Sequence, residues 1–231
     1  MARARTEAPA YAPQLCGTDP GRDCPLCPRL KVFRETWRAK EPDWFNAPVP
    51  SFGPASARLL IVGLAPGLQG ANRTGRPFTG DYAGDLLYET LGAYGFARGS
   101  FGARIDDGLT LTDCRITNAV RCVPPENKPT PLEIKTCRDF LVPAIVEMKN
   151  LKAIVALGAI AHASVLNAFA AKKSSMPFKH GGRYDLKMPE THGVAFFSSY
   201  HCSRYNTNTG VLTPEMFRAV FAAVRKELGS A

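Results

Sequence analysis

Leu59, Leu60, Ile61 and Val62 run without a polar break into Gly63, and Leu64-Ala65-Pro66-Gly67 interrupts the chain directly after. An apolar run with no alternation is the pattern of a strand buried on both faces, as in the middle of a parallel sheet. The loop beyond it continues through Asn72-Arg73-Thr74-Gly75-Arg76-Pro77-Phe78-Thr79-Gly80-Asp81, and a helical pattern begins near Ala83. Open α/β sheets bind ligands outside the carboxyl ends of their strands. The end of this strand is therefore where the rest of the chain is expected to bring its chemistry.

The remaining pattern repeats strand and helix. A short helix is expected over residues 28–38, with Phe33 and Trp37 four apart on one face. Residues 41–57 hold four prolines and read as an irregular connection. Leu86, Leu87 and Leu91 face inward from the helix after Asp81, and residues 92–108 read as a glycine-rich loop. Residues 115–120 form a β-type run stopped by Pro124-Pro125. Thr130-Pro131-Leu132-Glu133 is a capping box with proline at the first helical position. The helix it opens has Ile134, Cys137, Leu141, Ile145 and Met148 as apolar positions, with a kink expected at Pro143. Residues 151–157 are the next buried strand, followed by a helix to about residue 171. Residues 172–193 are polar, basic and glycine-containing. Val194–Ser199 is the last strand, and Thr213-Pro214 opens a closing helix with Phe217, Val220, Phe221, Val224 and Leu228 on one face. This alternation predicts an α/β fold with a parallel sheet covered on both faces. A chain of 231 residues suits one full core. A single domain is expected over 16–231, preceded by a mobile basic arm at 1–15.

Lys and Arg number 29 against 20 Asp and Glu, a formal net charge of +9, which favours a polyanionic partner such as nucleic acid. No apolar run is long enough to span a bilayer, and Glu7, Pro9 and Pro13 interrupt the N-terminus where a signal peptide would need an apolar core. A soluble, cytoplasmic monomer with no membrane partner is expected. Seven cysteines in a reducing compartment point to metal or cluster ligation before a disulfide framework. Cys24 and Cys27 form a C-x-x-C turn, and Cys122 and Cys137 are the pair grouped with them. Four thiolates suit tetrahedral zinc or a 4Fe–4S cluster, and spacing does not choose between them. Cys137 is equally read as filling an apolar helix face. Cys16, Cys114 and Cys202 are treated as structural, with Cys16 the substitute ligand.

Gly63-Leu64-Ala65-Pro66-Gly67 with residues 72–81 resembles the first motif of the uracil-DNA glycosylase superfamily, specifically its family 5. Ile116-Thr117-Asn118-Ala119-Val120-Arg121-Cys122-Val123-Pro124-Pro125-Glu126-Asn127-Lys128 is similar to the family's central segment, and His201-Cys202-Ser203-Arg204 to its last motif. The resemblance spans about residues 24–228. Cys202 departs from it, since many members carry Pro after the His. It implies an αβα sandwich around a four-stranded parallel sheet. It also implies a structural 4Fe–4S cluster on Cys24, Cys27, Cys122 and Cys137, and a DNA-associated prokaryotic repair enzyme. The implied substrates are double-stranded and single-stranded DNA containing deaminated bases.

A glycosylase must turn its nucleotide out of the stack. Phe78 matches the residue that lies against uracil in the family; the alternative is a core phenylalanine. Asn118 offers a donor and an acceptor for the base edge, or caps a strand end. His201 is expected to stabilise charge on uracil O2, helped by backbone N–H groups over 65–68. His162, His180 and His192 have no comparable context. Ala65 stands where the most active family has a water-positioning Asp, so a largely dissociative reaction is expected. Asp81 or Asn72 would orient the water, although Asp81 is equally read as an N-cap and Asn72 as a loop brace. Gly67 leaves room beside the base, which predicts acceptance of hypoxanthine or xanthine. DNA contacts are expected from Arg73, Arg76, Lys128, Arg183 and Arg204, with Lys172, Lys173, Lys179 and Lys187 adding charge and binding weakening with salt. The loop Arg204-Tyr205-Asn206 is read as the wedge. Two competing readings use the same features: a non-catalytic nucleic-acid-binding module with structural Zn, and an enzyme for a small phosphorylated metabolite.

Overall fold

The computed structural model describes residues 18–187 and 193–229. The arm read at 1–15, Cys16 and His192 lie outside the described residues. In chain order the elements are α1 (Pro28–Lys40), β1 (Leu59–Gly63), α2 (Ala71–Thr74), α3 (Tyr82–Ala93), β2 (Ala97–Arg98), β3 (Thr110–Leu111), β4 (Cys114–Asn118), α4 (Pro131–Val146), β5 (Ala153–Leu157), α5 (Ala159–Ala168), β6 (Arg183–Leu186), β7 (Val194–Ser199), α6 (Arg204–Asn208) and α7 (Pro214–Leu228).

The central sheet has the order β4-β1-β5-β7-β6. The first four strands are parallel, and β6 lies antiparallel on the β7 edge. The fold is thus α/β with a mainly parallel sheet, and it has one strand more than the expected four. Two of the four β6 residues, Arg183 and Asp185, are exposed and only Leu186 is buried, so the segment reads as polar loop until β7 is there to pair it. The strands β1, β4, β5 and β7 are buried along their whole length, which is why their sequences show no alternation.

Each face of the sheet holds its own core. Leu59 and Ile61 pack with Leu87 and Leu91 of α3 and Phe217 and Phe221 of α7. Leu60 and Val62 pack with Leu141 and Ile145 of α4 and Val165 of α5. Side chains of this size contribute about 1.5–3 kcal/mol each when fully buried. The capping box is present: Thr130 N–H donates to Glu133 Oε2 at 2.7 Å and Glu133 N–H donates to Thr130 Oγ1 at 3.2 Å. Register places Gly63 beside Asn118 and Leu157 beside Ser199, so four strands end on one rim. Among the described residues no helix is long and apolar enough to cross a membrane.

Candidate active site

A cleft of about 570 Å³ opens on that rim, within the range of small-ligand sites. The loop after β1 supplies Ala65, Gly67 and Phe78, the end of β4 supplies Asn118, and the loop after β7 supplies His201. Three distant segments therefore meet at one place.

Phe78 is 7% exposed and faces the cleft. Its φ is +53°, left-handed backbone that costs a bulky residue roughly 1–3 kcal/mol. Its ring lies 5.9 Å from the His201 ring, centroid to centroid, at 29°. Two glycines make this placement possible. A Cβ on Gly84 would stand 2.0 Å from the Phe78 carbonyl oxygen. A Cβ on Gly63 would stand 2.7 Å from Phe78 Cζ and 2.4 Å from Asn118 Oδ1. Asn118 is 3% exposed, and its Oδ1 is buried with no hydrogen-bond partner. A buried acceptor without a donor is costly, and a ligand donor would relieve that cost.

His201 is held by its backbone, since Asn206 Nδ2 donates to its carbonyl at 2.8 Å. Burial lowers its pKa, so the imidazole is neutral near pH 7. Cys202 Sγ–H donates to the Ala83 carbonyl at 3.3 Å, fastening the His201 loop to the start of α3. The other described histidines serve the scaffold. His162 bonds Ser198 and the Met176 carbonyl, and His180 contacts the Met216 carbonyl and the Tyr200 N–H.

Asp81 occupies the N-cap position of α3 without making a side-chain cap bond. It lines the cleft, and a Cβ on Gly67 would come within 3.0 Å of its Oδ2. Crowding by protein raises its pKa, and the nearby Gly84 and Ala83 N–H groups oppose the shift. The N–H groups of Ala65, Gly67 and Leu68 have no hydrogen-bond partner among the described residues. Asn72 departs from expectation. It is fully buried, is absent from the cleft wall, and donates to Asn46 Oδ1 at 2.8 Å. It braces the loop and does not reach a water in the cleft.

The cations divide. Arg204 lines the mouth over the Tyr82 ring at 5.2 Å, and Arg73 and Lys128 are exposed. Lys172, Lys173, Lys179 and Lys187 are exposed as well. Arg76 is a correction: it is 2% exposed, donates to Asp107 at 2.8 and 2.6 Å, and cannot touch a phosphate. Arg183 is exposed, but Glu227 and Asp185 occupy its donors at 3.0 Å. Residues missed in the sequence are Gln69, Tyr82 and Asn127, which also line the cleft. Asn127 follows Glu126 in a second consecutive left-handed conformation. Its signal was the Pro-Pro-Glu-Asn turn beside Asn118. Tyr205 is 74% exposed on α6.

Cys122 and Cys137 are buried beside Leu30, with Cys27 and Ala65 against them. Arg34 Nη1 donates to Cys122 Sγ at 3.3 Å while its Nη2 reaches the Cys24 carbonyl, and Arg121 N–H donates to Cys137 Sγ at 3.3 Å. Burial pushes Cys122 up to about 12 and Cys137 up to about 11. Among the described residues no three His, Cys, Asp or Glu side chains take up metal-holding geometry. The donor set still fits a thiolate-ligated group: Cys27, Cys122 and Cys137 pack in one cluster, and N–H donors reach two of their sulfurs.

The family model described as Uracil DNA glycosylase superfamily matches residues 50–225. A type-5 uracil-DNA glycosylase of Thermus thermophilus is 43% identical over 212 residues, 89% of this chain and 94% of that protein. One of Pyrobaculum aerophilum is 36% identical over 90% of each chain. A type-4 uracil-DNA glycosylase of Archaeoglobus fulgidus is 33% identical over 60% of this chain and 62% of its own.

Proposed function

Since the chain belongs to the uracil-DNA glycosylase superfamily, among its type-5 members, we propose a division of labour for base excision in the cleft. The extruded uracil stacks on Phe78. The Asn118 amide pairs with its edge, Oδ1 accepting from N3–H and Nδ2 donating to O4. Neutral His201 donates to O2 as the bond to C1′ breaks, and the free N–H groups of Ala65, Gly67 and Leu68 add dipoles there. Donors fixed in a water-poor site are worth most where charge develops. The observation that carries this reading is the unpartnered Oδ1 of Asn118 on a wall shared with the facing Phe78 and His201 rings.

Ala65 has no proton to move, so C1′–N1 cleavage runs ahead of water attack. Asp81 is the carboxylate at the cleft and orients the water that captures the sugar cation; buried Asn72 is left out. Gly67 brings no side chain of its own to this wall, and acceptance of hypoxanthine and xanthine is proposed on that, with the Asp81 carboxylate as the neighbour a Cβ there would meet at 3.0 Å. Arg73, Lys128 and Arg204 take the phosphates of double- or single-stranded DNA, and the Arg204-Tyr205-Asn206 segment fills the vacated stack, a role that the exposure of Tyr205 supports. Cys24, Cys27, Cys122 and Cys137 would hold a 4Fe–4S cluster. That cluster supplies structural cross-linking of the α1 and α4 segments and takes no part in bond cleavage.

The test is incubation with duplexes carrying uracil, hypoxanthine or xanthine, followed by alkaline cleavage at abasic sites. Wild type cuts all three. His201→Ala and Asn118→Ala each lose roughly 10²–10³-fold in rate, the usual cost of one lost transition-state donor. Full activity in both variants removes the assignment, and inert deaminated purines remove the role of Gly67.

A further inference from the structure

The left-handed backbone of Phe78 must be held by its neighbours, and the neighbours that hold it converge on Arg76. The Arg76 guanidinium donates through both Nη atoms to Asp107. Its Nε donates to Thr79 Oγ1 at 2.8 Å. Its Cζ lies 5.4, 5.5 and 5.7 Å from the ring centroids of Phe52, Tyr88 and Phe101. Tyr88 O–H donates to the Pro77 carbonyl at 2.6 Å, and Thr79 Oγ1–H donates to the same carbonyl at 3.2 Å. Residues on both sides of Phe78 are thus fastened from one buried centre. Asp107 is itself fixed, accepting from the N–H groups of Gly102 and Leu109 at 2.9 and 3.0 Å. Burial alone would raise its pKa, but Arg76 and those N–H groups outweigh it and hold the carboxyl below its usual range. Both ion-pair partners are at most 4% exposed. A charge pair so deep is costly to bury, and its hydrogen bonds lead to the loop that carries Phe78 or to the segment that fixes Asp107.

We propose that Arg76, paired with Asp107 inside the cage of Phe52, Tyr88 and Phe101, is a positioning residue that holds Phe78 in its left-handed conformation and aims the ring into the cleft. The inference rests on Phe78 being the surface for the extruded base. Strain at an active-site backbone persists only where the surroundings over-determine it, and these contacts are that surrounding. Loosening them lets Phe78 relax toward ordinary backbone and swing its ring from the stacking position.

Single-turnover excision of uracil is measured for wild type, Tyr88→Phe, Asp107→Asn, Phe78→Ala and the two double variants carrying Phe78→Ala. Tyr88→Phe and Asp107→Asn each slow the step at saturating enzyme by roughly 10–100-fold, the cost of a small misplacement. Affinity for a duplex with an abasic site, which has no base to stack, stays unchanged. Neither substitution slows the reaction further once Phe78 is Ala, as a shared route requires. Full additional losses in the Phe78→Ala background, or wild-type rates in both single variants, overturn the proposal. A second readout does not use activity: the His201 ring resonances in NMR feel the Phe78 ring current. In both single variants they shift toward their Phe78→Ala positions, and unmoved resonances overturn the proposal. If wild type excises no uracil, the base-excision reading of the cleft fails, while the resonances still decide whether the cage positions Phe78.

Discussion

Gly63 decides whether Phe78 and Asn118 can share a wall. A Cβ there would stand 2.4 Å from Asn118 Oδ1 and 2.7 Å from Phe78 Cζ, closer than carbon atoms come. Gly63→Ala is expected to push both side chains off their places and cost roughly 10²-fold in single-turnover excision, with the sheet still forming because this strand backbone suits any residue. Wild-type excision by that variant would show that the two groups need not meet. The histidines give a pH dependence of definite sign. Burial lowers the pKa of His162 and of His201 below 6.5. As pH falls through 6.5 toward the folded values, the unfolded chain takes up protons that the folded chain refuses. Stability is therefore complete above 6.5 and falls by up to about 1.4 kcal/mol per pH unit for each His. Melting at pH 7.5 and 5.5 should show the drop, smaller in His162→Gln; a melting point that holds or rises at pH 5.5 contradicts the sign. Asn118 and His201 stood out because each follows a buried run at the point where turn residues begin, and Phe78 through the likeness of its loop to the family's first motif. Arg76 was not, since an arginine in a glycine-rich loop looks solvated until Asp107, thirty-one positions on, closes around it. Asn72 was misplaced for the same reason, its partner Asn46 lying in a proline-rich connection with no pattern.

At the scale of elements, the segment joining β4 to α4 links the cleft to the cysteines. It leaves Asn118, passes Cys122, carries Asn127 to the cleft mouth and enters α4 through the Thr130 capping box, about two turns before Cys137. Arg29 clamps it from α1, donating to Glu133 at 2.8 and 2.7 Å and to the Lys128 carbonyl at 3.0 Å. A cluster on the four thiolates would fix this segment covalently. Protein purified without oxygen should be brown, with roughly four irons per chain, and Cys122→Ser should lose both iron and melting temperature. Colourless wild-type protein loaded with zinc would contradict the cluster. The capping box, α4 and α7 were legible because local chemistry and one periodicity specify each. The β6 strand was not, because an edge strand with alternating exposure depends on β7 for its definition.

At the scale of the molecule, the parallel sheet is the device that gathers the site. Four strands end on one rim, and the loop after β1, the end of β4 and the loop after β7 deliver the Phe78 ring, the Asn118 amide and the His201 imidazole to one cleft. The charge excess follows the same logic in part. Arg73 and Arg204 are exposed near the rim, as is Lys128 with Glu126 3.5 Å away, while Arg76 is buried against Asp107 and Arg183 pairs at the surface with Glu227 and Asp185. The most direct measurement is a crystal structure of the protein with uracil bound. The base should lie flat on Phe78, with its N3–H and O4 on the Asn118 amide and O2 within hydrogen-bond distance of a His201 ring nitrogen. Uracil seated away from Phe78, or with Asn118 Oδ1 still unpartnered, would contradict the joining of these three residues into one base-binding site.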